Sequence, residues 1–225
     1  ETPVTGGNVS LYNESIDDKG NKKPIQPTPV IGMVGVLDDV KKAVSSGWKN
    51  INDEIWIIGS RASGLTLGAT SYLEYFHGQV TGRPPSLNLI DEKLCQLFIR
   101  NGIYNNFIIS SHDISDGGLA VALAEACILS GKGALINLLG EERIDKLLFS
   151  EGGSRIVFSI PHIKKNEWLK FVSEESKNFT DSIYVTKIGT VTQETLKIKN
   201  LDNILCDLKI CTLADKFNNG LSNNF

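Results

Sequence analysis

The stretch Ser111-His112-Asp113-Ile114-Ser115-Asp116-Gly117-Gly118-Leu119 gathers the densest set of groups able to do chemistry in this chain. It follows an apolar run, Phe107-Ile108-Ile109, that reads as a strand. It precedes a segment through Leu119, Leu123, Ala126 and Leu129 whose spacing predicts a helix. Asp116 is placed to cap that helix, its carboxylate accepting from free N–H groups of the first turn. Gly117 and Gly118 keep side chains out of the turn, and a bare helix start offers donors and a positive dipole end to phosphate. Asp113 and Asp116 are oxygen donors of the kind that hold Mg²⁺ beside a phosphate. On spacing alone, a plain strand-to-helix turn with a good cap accounts for the same residues and is preferred. His112 by itself is more often a structural hydrogen bonder than a catalyst.

A second candidate is Thr5-Gly6-Gly7-Asn8-Val9-Ser10-Leu11-Tyr12-Asn13. Two glycines allow a ligand or a neighbouring backbone to approach closely. In an extended chain Asn8 and Ser10 fall on one side, an amide oxygen and a hydroxyl in a row. A bulge followed by a polar edge strand is the simpler account, and no Gly-Lys-Ser/Thr follows, so this is not a P-loop. The third is Ser150-Glu151-Gly152-Gly153-Ser154-Arg155, a glycine-rich turn into a strand. Glu151 and Arg155 there either bind a polar ligand or pair with each other, and an exposed ion pair contributes under about 1 kcal/mol. Gly59 to Gly64 reads as a mobile loop and is assigned no chemistry.

The elements that must position these groups follow from periodicity. Residues 1–13 predict a strand or two, with Val4, Val9 and Leu11 as apolar positions. Ile16 to Pro27, rich in Asp, Lys and Asn, predicts a solvated loop. Thr28 to Leu37 is a nearly continuous apolar run and predicts a buried strand. Asp38 to Asn52 is a connector, and the domain boundary is placed within it, giving 1–40 and 41–225. Beyond it, strands and helices alternate: strands at Ile55–Gly59, Ala134–Ile136, Arg155–Ile160, Ile183–Val191 and Leu196–Ile198. Helices are expected at Gly68–Phe76, after Pro84-Pro85 with Leu87, Leu89, Ile90, Leu94, Leu97 and Phe98 as apolar positions, at Ile144–Phe149, near Lys164–Ser173 and over Ile204–Phe217. Strand hairpins mixed with helices predict an α+β layered domain.

Composition bounds the rest. With 225 residues, 41% hydrophobic and 22% charged, the chain can bury a core, and its net charge of -3 shows no basic excess of the kind nucleic acid selects. No apolar run reaches the ~20 residues that span a bilayer, so neither nucleic acid nor membrane is an expected partner. Cys95, Cys127, Cys206 and Cys211 have no CxxC spacing and the three histidines lie far apart, which predicts free thiols in a reducing cytoplasm. The only methionine is Met33 and the chain opens Glu1-Thr2-Pro3-Val4. The expectation is a piece of a longer polypeptide, a processed mature terminus being the other reading.

Taken in order, Pro3 to Glu14, Pro27 to Gly35, Tyr72-Leu73, His77-Gly78, Gly82-Arg83-Pro84-Pro85, Ser111 to Leu119 and Ala120 to Glu125 resemble the phosphoribosylformylglycinamidine synthase family, synthetase subunit. The likeness covers nearly the whole chain, and Asn-Val-Ser-Leu-Tyr-Asn with Ser-Asp-Gly-Gly favours this family over the related aminoimidazole ribonucleotide synthetases. It implies a layered α/β/α C-terminal domain of the aminoimidazole ribonucleotide synthetase type, here 41–225, preceded in 1–40 by the last strands of an ATP-binding domain. It implies an ATP-dependent ligase of purine biosynthesis that turns formylglycinamide ribonucleotide and glutamine-derived ammonia into the amidine. A glutaminase subunit and a small adaptor subunit would be partners. By the same resemblance Gly7 would contact ATP, Asn8 would ligate Mg²⁺ and Ser10 would contact the substrate. Gly6 departs from the family's usual Ser. The family's catalytic histidine lies in its first half, so none of His77, His112 or His162 inherits that role, and no catalytic residue is assigned here. A related ATP-dependent synthetase and a non-catalytic docking domain stay open as alternatives.

Overall fold

An apolar run becomes a strand only where neighbouring backbone takes up its N–H and C=O groups, and the two parts of this chain differ in that respect. The computed structural model describes residues 2–9, 12–25, 28–60, 65–138 and 142–220. The chain divides into two units, 1–38 and 39–225.

In the first unit, β1 (Glu14–Ile16) and β2 (Lys22–Pro24) form an antiparallel hairpin, with Glu14 opposite Pro24. The turn is set by Asp17, whose Oδ1 accepts from the N–H of Lys19 at 2.9 Å and of Asn21 at 2.8 Å, a local competition with solvent typical of Asp. Ordered pairing thus stands where a solvated loop was expected. The converse holds for residues 2–9 and 28–37, expected as strands, which adopt neither helix nor strand. Val30, Val34 and Val36 are 93%, 96% and 95% exposed. Their sequence suits a buried strand, but among the described residues of this unit no strand pairs with them.

The second unit is built on a seven-stranded sheet. Its elements are β3 (Glu54–Ser60), α1 (Ser71–His77), α2 (Leu89–Tyr104), β4 (Ser110–Asp113), α3 (Gly118–Ser130), β5 (Gly133–Leu138), α4 (Ile144–Phe149), β6 (Arg155–Ile160), α5 (Lys165–Glu175), β7 (Ile183–Thr192), β8 (Thr195–Asn200), β9 (Asn203–Lys209) and α6 (Ile210–Asn219). The strand order is β4-β6-β3-β7-β5-β8-β9, with β5 and β8 parallel and the other neighbours antiparallel. Side-chain alternation along β3 feeds two cores. Ile55 and Ile57 point to a layer made by α3, α4 and the inner side of α6. Trp56 and Ile58 point to a layer made by α2 and α5, where Phe98, Phe158, Trp168 and Phe171 pack ring against ring. This is the α+β, α/β/α arrangement that the sequence implied.

Several details differ from the periodicity. On α2 the buried stripe is Asp91, Cys95, Phe98, Ile99 and Gly102, while Leu87, Leu89 and Ile90 stay exposed. Asp91 is tolerated inside because Thr180 and Ser182 donate hydroxyls to its carboxylate, at 2.7 and 2.5 Å. The strand expected at 107–109 starts at Ser110, since the N–H groups of Phe107 and Ile108 turn back to the carbonyl of Gly102. The expected tail helix is split: 203–209 extend along β8 as an edge strand, and the helix begins only at Ile210. Cys206 therefore sits on a strand and Cys211 on a helix. β7 and β8 are consecutive in sequence, yet β5 lies between them.

Candidate functional site

The turn at the end of β4 is shaped by its glycines. Gly117 and Gly118 have φ of 76° and 69°, the left-handed region that disfavours side chains. A Cβ on Gly118 would meet the carbonyl oxygen of Leu148 at 2.7 Å, so helix α3 packs backbone to backbone against α4. Asp116 does not cap the helix. Gly117 holds the capping position, without a side-chain cap. Its N–H donates to Glu151 Oε1 at 2.7 Å, and the same oxygen accepts from the N–H of Ser71 at 2.8 Å. One carboxylate thus ties the starts of α1 and α3. Glu151 comes from the loop after α4 and takes the N–H of the capping residue, while the first turn of α3 that Asp116 was expected to serve has no side-chain cap. The N–H of Gly118 is used as well, on the carbonyl of Ser115. Two donors that a phosphate would want are already taken by the protein itself.

Around this knot, Tyr72 of α1 stacks on Phe149 of α4 with centroids 4.8 Å apart. His112 bridges β4 and α3, its Nε2 2.8 Å from Glu125 and its Nδ1 3.3 Å from Asp113. That makes it the structural hydrogen bonder that its type suggested. Asp113 and Asp116 are both exposed. Among the described residues no three His, Cys, Asp or Glu side chains converge on a metal position.

Glu151 and Arg155 do not pair. Arg155 is only 5% exposed. It gives one N–H to the carbonyl of Ser150 at 3.3 Å, and its Nε has no hydrogen-bond partner among the described residues. Burial pulls the guanidinium below its ordinary pKa, and the nearby phenol of Tyr184 opposes that shift. Burial in turn pushes Tyr184 up. The two face a small cavity of about 40 Å³ under Leu119, Leu147 and Ile188. Glu-Gly-Gly-Ser-Arg was visible as a motif in the sequence; that Glu and Arg part ways was not.

Gly7 and Asn8 lie on the exposed stretch of the first unit. A Cβ on Gly6 or Gly7 would meet nothing within 4 Å. Ser10 is outside the described residues, as are Arg61 to Gly64. A single neutral oxygen from Asn8 does not fit the near-octahedral oxygen shell of Mg²⁺ without further ligands.

The fold and its turn define a class: a two-faced α/β/α domain whose mostly antiparallel sheet ends in a glycine-built helix start. Residues 50–199 match the family model described as AIR synthase related protein, C-terminal domain, and the chain belongs to that family. Over its whole length it is 59% identical to the phosphoribosylformylglycinamidine synthase subunit PurL of Prochlorococcus marinus strain MIT 9301, and it spans 29% of that protein. It is 43% identical to the PurL subunit of Prochlorococcus marinus strain MIT 9303, over 96% of this chain and 28% of that one. Among solved structures it is similar to T. maritima PurL complexed with FGAR, with a TM-score of 0.62, 14% identity, 78% of this chain and 30% of that chain. It is similar also to PurLQS from Thermotoga maritima, with a TM-score of 0.59, 14% identity, 78% and 28%. At such identities the structural likeness speaks for the fold alone.

Proposed function

We propose that this chain is a C-terminal portion of a phosphoribosylformylglycinamidine synthase of the PurL type, an ATP-dependent ligase. The observation that carries the reading is the 59% identity to PurL subunits across the whole chain. In this reading residues 1–40 are the end of the second ATP-binding domain and 41–225 the synthetase C-terminal domain. Gly7 contacts ATP, Asn8 gives one oxygen to Mg²⁺ and Ser10 touches formylglycinamide ribonucleotide, the remaining ligands coming from other parts of the longer protein. The reaction moves the γ-phosphoryl of ATP onto the formyl amide oxygen; ammonia then adds to the activated carbon, and phosphate leaves with that oxygen. Ammonia comes from a glutaminase subunit, a small adaptor subunit completes the complex, and the setting is the cytoplasm. Mg²⁺ would supply charge neutralisation of the phosphates when bound.

The test is in two parts. The purified 225-residue chain should show no turnover of formylglycinamide ribonucleotide with ATP, ammonia and Mg²⁺; measurable turnover would overturn the view that the catalytic groups lie elsewhere. In the full-length parent, Asn8→Ala should shift the Mg²⁺ dependence to higher concentration by about tenfold, the scale of a lost metal contact. Unchanged kinetics across the Mg²⁺ titration would remove Asn8 from the site.

A further inference from the structure

A second cleft opens at the other end of the sheet. By register, Glu54 of β3 lies opposite Ile160, and Ser110 of β4 opposite Ser159, whereas Gly59 and Asp113 lie at the end that carries Arg155 and Ile156. A cleft of about 360 Å³ opens at the Glu54 end, remote from the Gly117 turn. Its floor is apolar, from Ala43, Val44, Ile103, Ile108, Ile109 and Pro161, and Lys41, Lys42 and Lys49 stand along it. That is the ordinary make-up of a small-molecule site: an apolar surface with a few placed charges.

The charges are held in place. Lys42 Nζ donates to the carbonyl of Tyr104 at 2.7 Å and to Oδ1 of Asn106 at 2.8 Å. Lys164 Nζ donates to the carbonyl of the same Asn106 at 3.1 Å. Two ammonium groups therefore converge on one residue of the cleft. Lys49 is fixed on the hydroxyl of Ser45 at 2.8 Å. All these acceptors are neutral. Among the described residues none of the four lysines has a carboxylate within 4 Å, although ion pairs occupy Lys22, Lys146, Lys165, Lys187 and Lys197. Asp39 turns its carboxylate to the backbone N–H of Lys41, and Asp53 turns its own to Asn50. The C-terminal end of α2 contributes about half a negative charge near Tyr104, which leaves most of the positive charge uncompensated. Both acids beside the cleft are thus engaged by backbone or amide N–H groups and not by a lysine ammonium.

We infer that this cleft binds a phosphate monoester of a small organic molecule, the phosphate at Lys42 and Lys164 with Lys41 and Lys49 in support, and the organic part on the apolar floor. A compact dianion matches two ammonium groups drawn to one residue better than a lone carboxylate does, and lysine serves phosphate as a point charge. The inference stands apart from the synthase reading, because it concerns the opposite end of the sheet.

The experiment is a methyl NMR titration of the full 225-residue chain with phenyl phosphate and, separately, with inorganic phosphate. The methyls of Ala43 and Ile109 report the cleft and those of Leu119 report the other end. Phenyl phosphate should give saturable shifts at Ala43 and Ile109. Its affinity should fall at least about tenfold in Lys42→Met/Lys164→Met, and by a smaller factor in Lys41→Met, which removes no internal hydrogen bond on which folding depends. Lys197→Met, whose lysine is paired with Asp207 on the edge strands, should bind as the parent does. Shifts that do not saturate, or that persist unchanged in Lys41→Met and in the double variant, would overturn the site. Equal affinity for inorganic phosphate would overturn the organic half of the proposal.

Discussion

Two apolar runs in this chain have the same look in sequence and opposite fates. Ile55-Trp56-Ile57-Ile58-Gly59 becomes the central strand β3, with β6 on one side and β7 on the other and its side chains 0–6% exposed from Ile55 to Ile58. Val30-Ile31-Gly32-Met33-Val34-Gly35-Val36 forms no strand and is almost fully exposed. Hydrophobicity and β-branching are alike; what differs is the presence of partners within the same unit. A strand is a property of a pair of segments, not of one. An exposed apolar segment of this length is itself a sign of a partner surface, which agrees with the proposal that 1–40 finishes a domain of a longer protein.

Truncating one residue in each run puts this contrast under the heaviest load. Ile57→Ala should lower the unfolding free energy of the chain by about 2–5 kcal/mol, and Val34→Ala should change it by under ~0.5 kcal/mol, both read from urea melts followed by tryptophan fluorescence. Similar losses for the two would mean that the exposed run is packed after all. In the full-length parent, Val34→Asp should lower the melting temperature; a neutral result there would remove missing neighbours as the explanation.

Next in size comes the carboxylate at the foot of β3. Glu54 is fully buried, and accepts from Lys187 at 2.7 Å and from the indole of Trp56 at 3.2 Å, with Lys165 at 3.7 Å and His162 at 3.6 Å. Burial pushes its pKa up, but Lys187, Trp56 and Lys165 together outweigh that and hold it below the ordinary carboxylate value of 4.5. The stabilisation it gives is therefore complete above pH 4.5 and is lost as pH falls through the lower folded-state value. Glu54→Gln should cost about 2 kcal/mol at pH 7, since it removes the charge from a buried acceptor whose cationic partners, Lys187 and Lys165, are themselves partly exposed. The gap to the parent should narrow in melts below about pH 4, and a gap independent of pH would show that the charge is not what matters. The run at 28–37 has no such anchor to lose.

The smallest effect tests the knot at the helix starts. Glu151→Gln keeps one oxygen for Ser71 and Gly117 but removes the charge that strengthens both bonds. A loss of about 1 kcal/mol is expected, smaller than the loss at Glu54 because Glu151 is only partly buried. Hydrogen exchange at the Gly117 and Ser71 amides should speed up together. Acceleration at only one would show that the carboxylate does not join the two helices.

Much of the second unit was legible in residues. The apolar run Ile55 to Ile58, the spacing of Leu119, Leu123, Ala126 and Leu129 and the glycine pair before it each implied the element that forms, and the motif order implied the family. Other readings failed for identifiable reasons. Leu89 and Ile90 looked like core because apolar spacing cannot tell which side of a helix meets the sheet; the hydroxyls of Thr180 and Ser182 made Asp91 the buried residue instead. The segment 203–209 looked helical because its pairing partner, β8, lies in a different stretch of sequence. At the candidate site, glycines at 117 and 118 were readable from the sequence, but the carboxylate that meets the Gly117 N–H was not, because Glu151 arrives from more than thirty residues away.

Residue order alone was enough for the periodicities, the places where only glycine is tolerated and the family to which the chain belongs, since these depend on local sterics and on the order of motifs. Folding in three dimensions was needed to insert β5 between β7 and β8, to bring Glu151 rather than Asp116 to the helix start, and to bring Lys42 and Lys164 from distant segments to Asn106. Each of these is a choice among partners far apart along the chain, and such choices are settled by packing and by where buried polar groups find their hydrogen bonds.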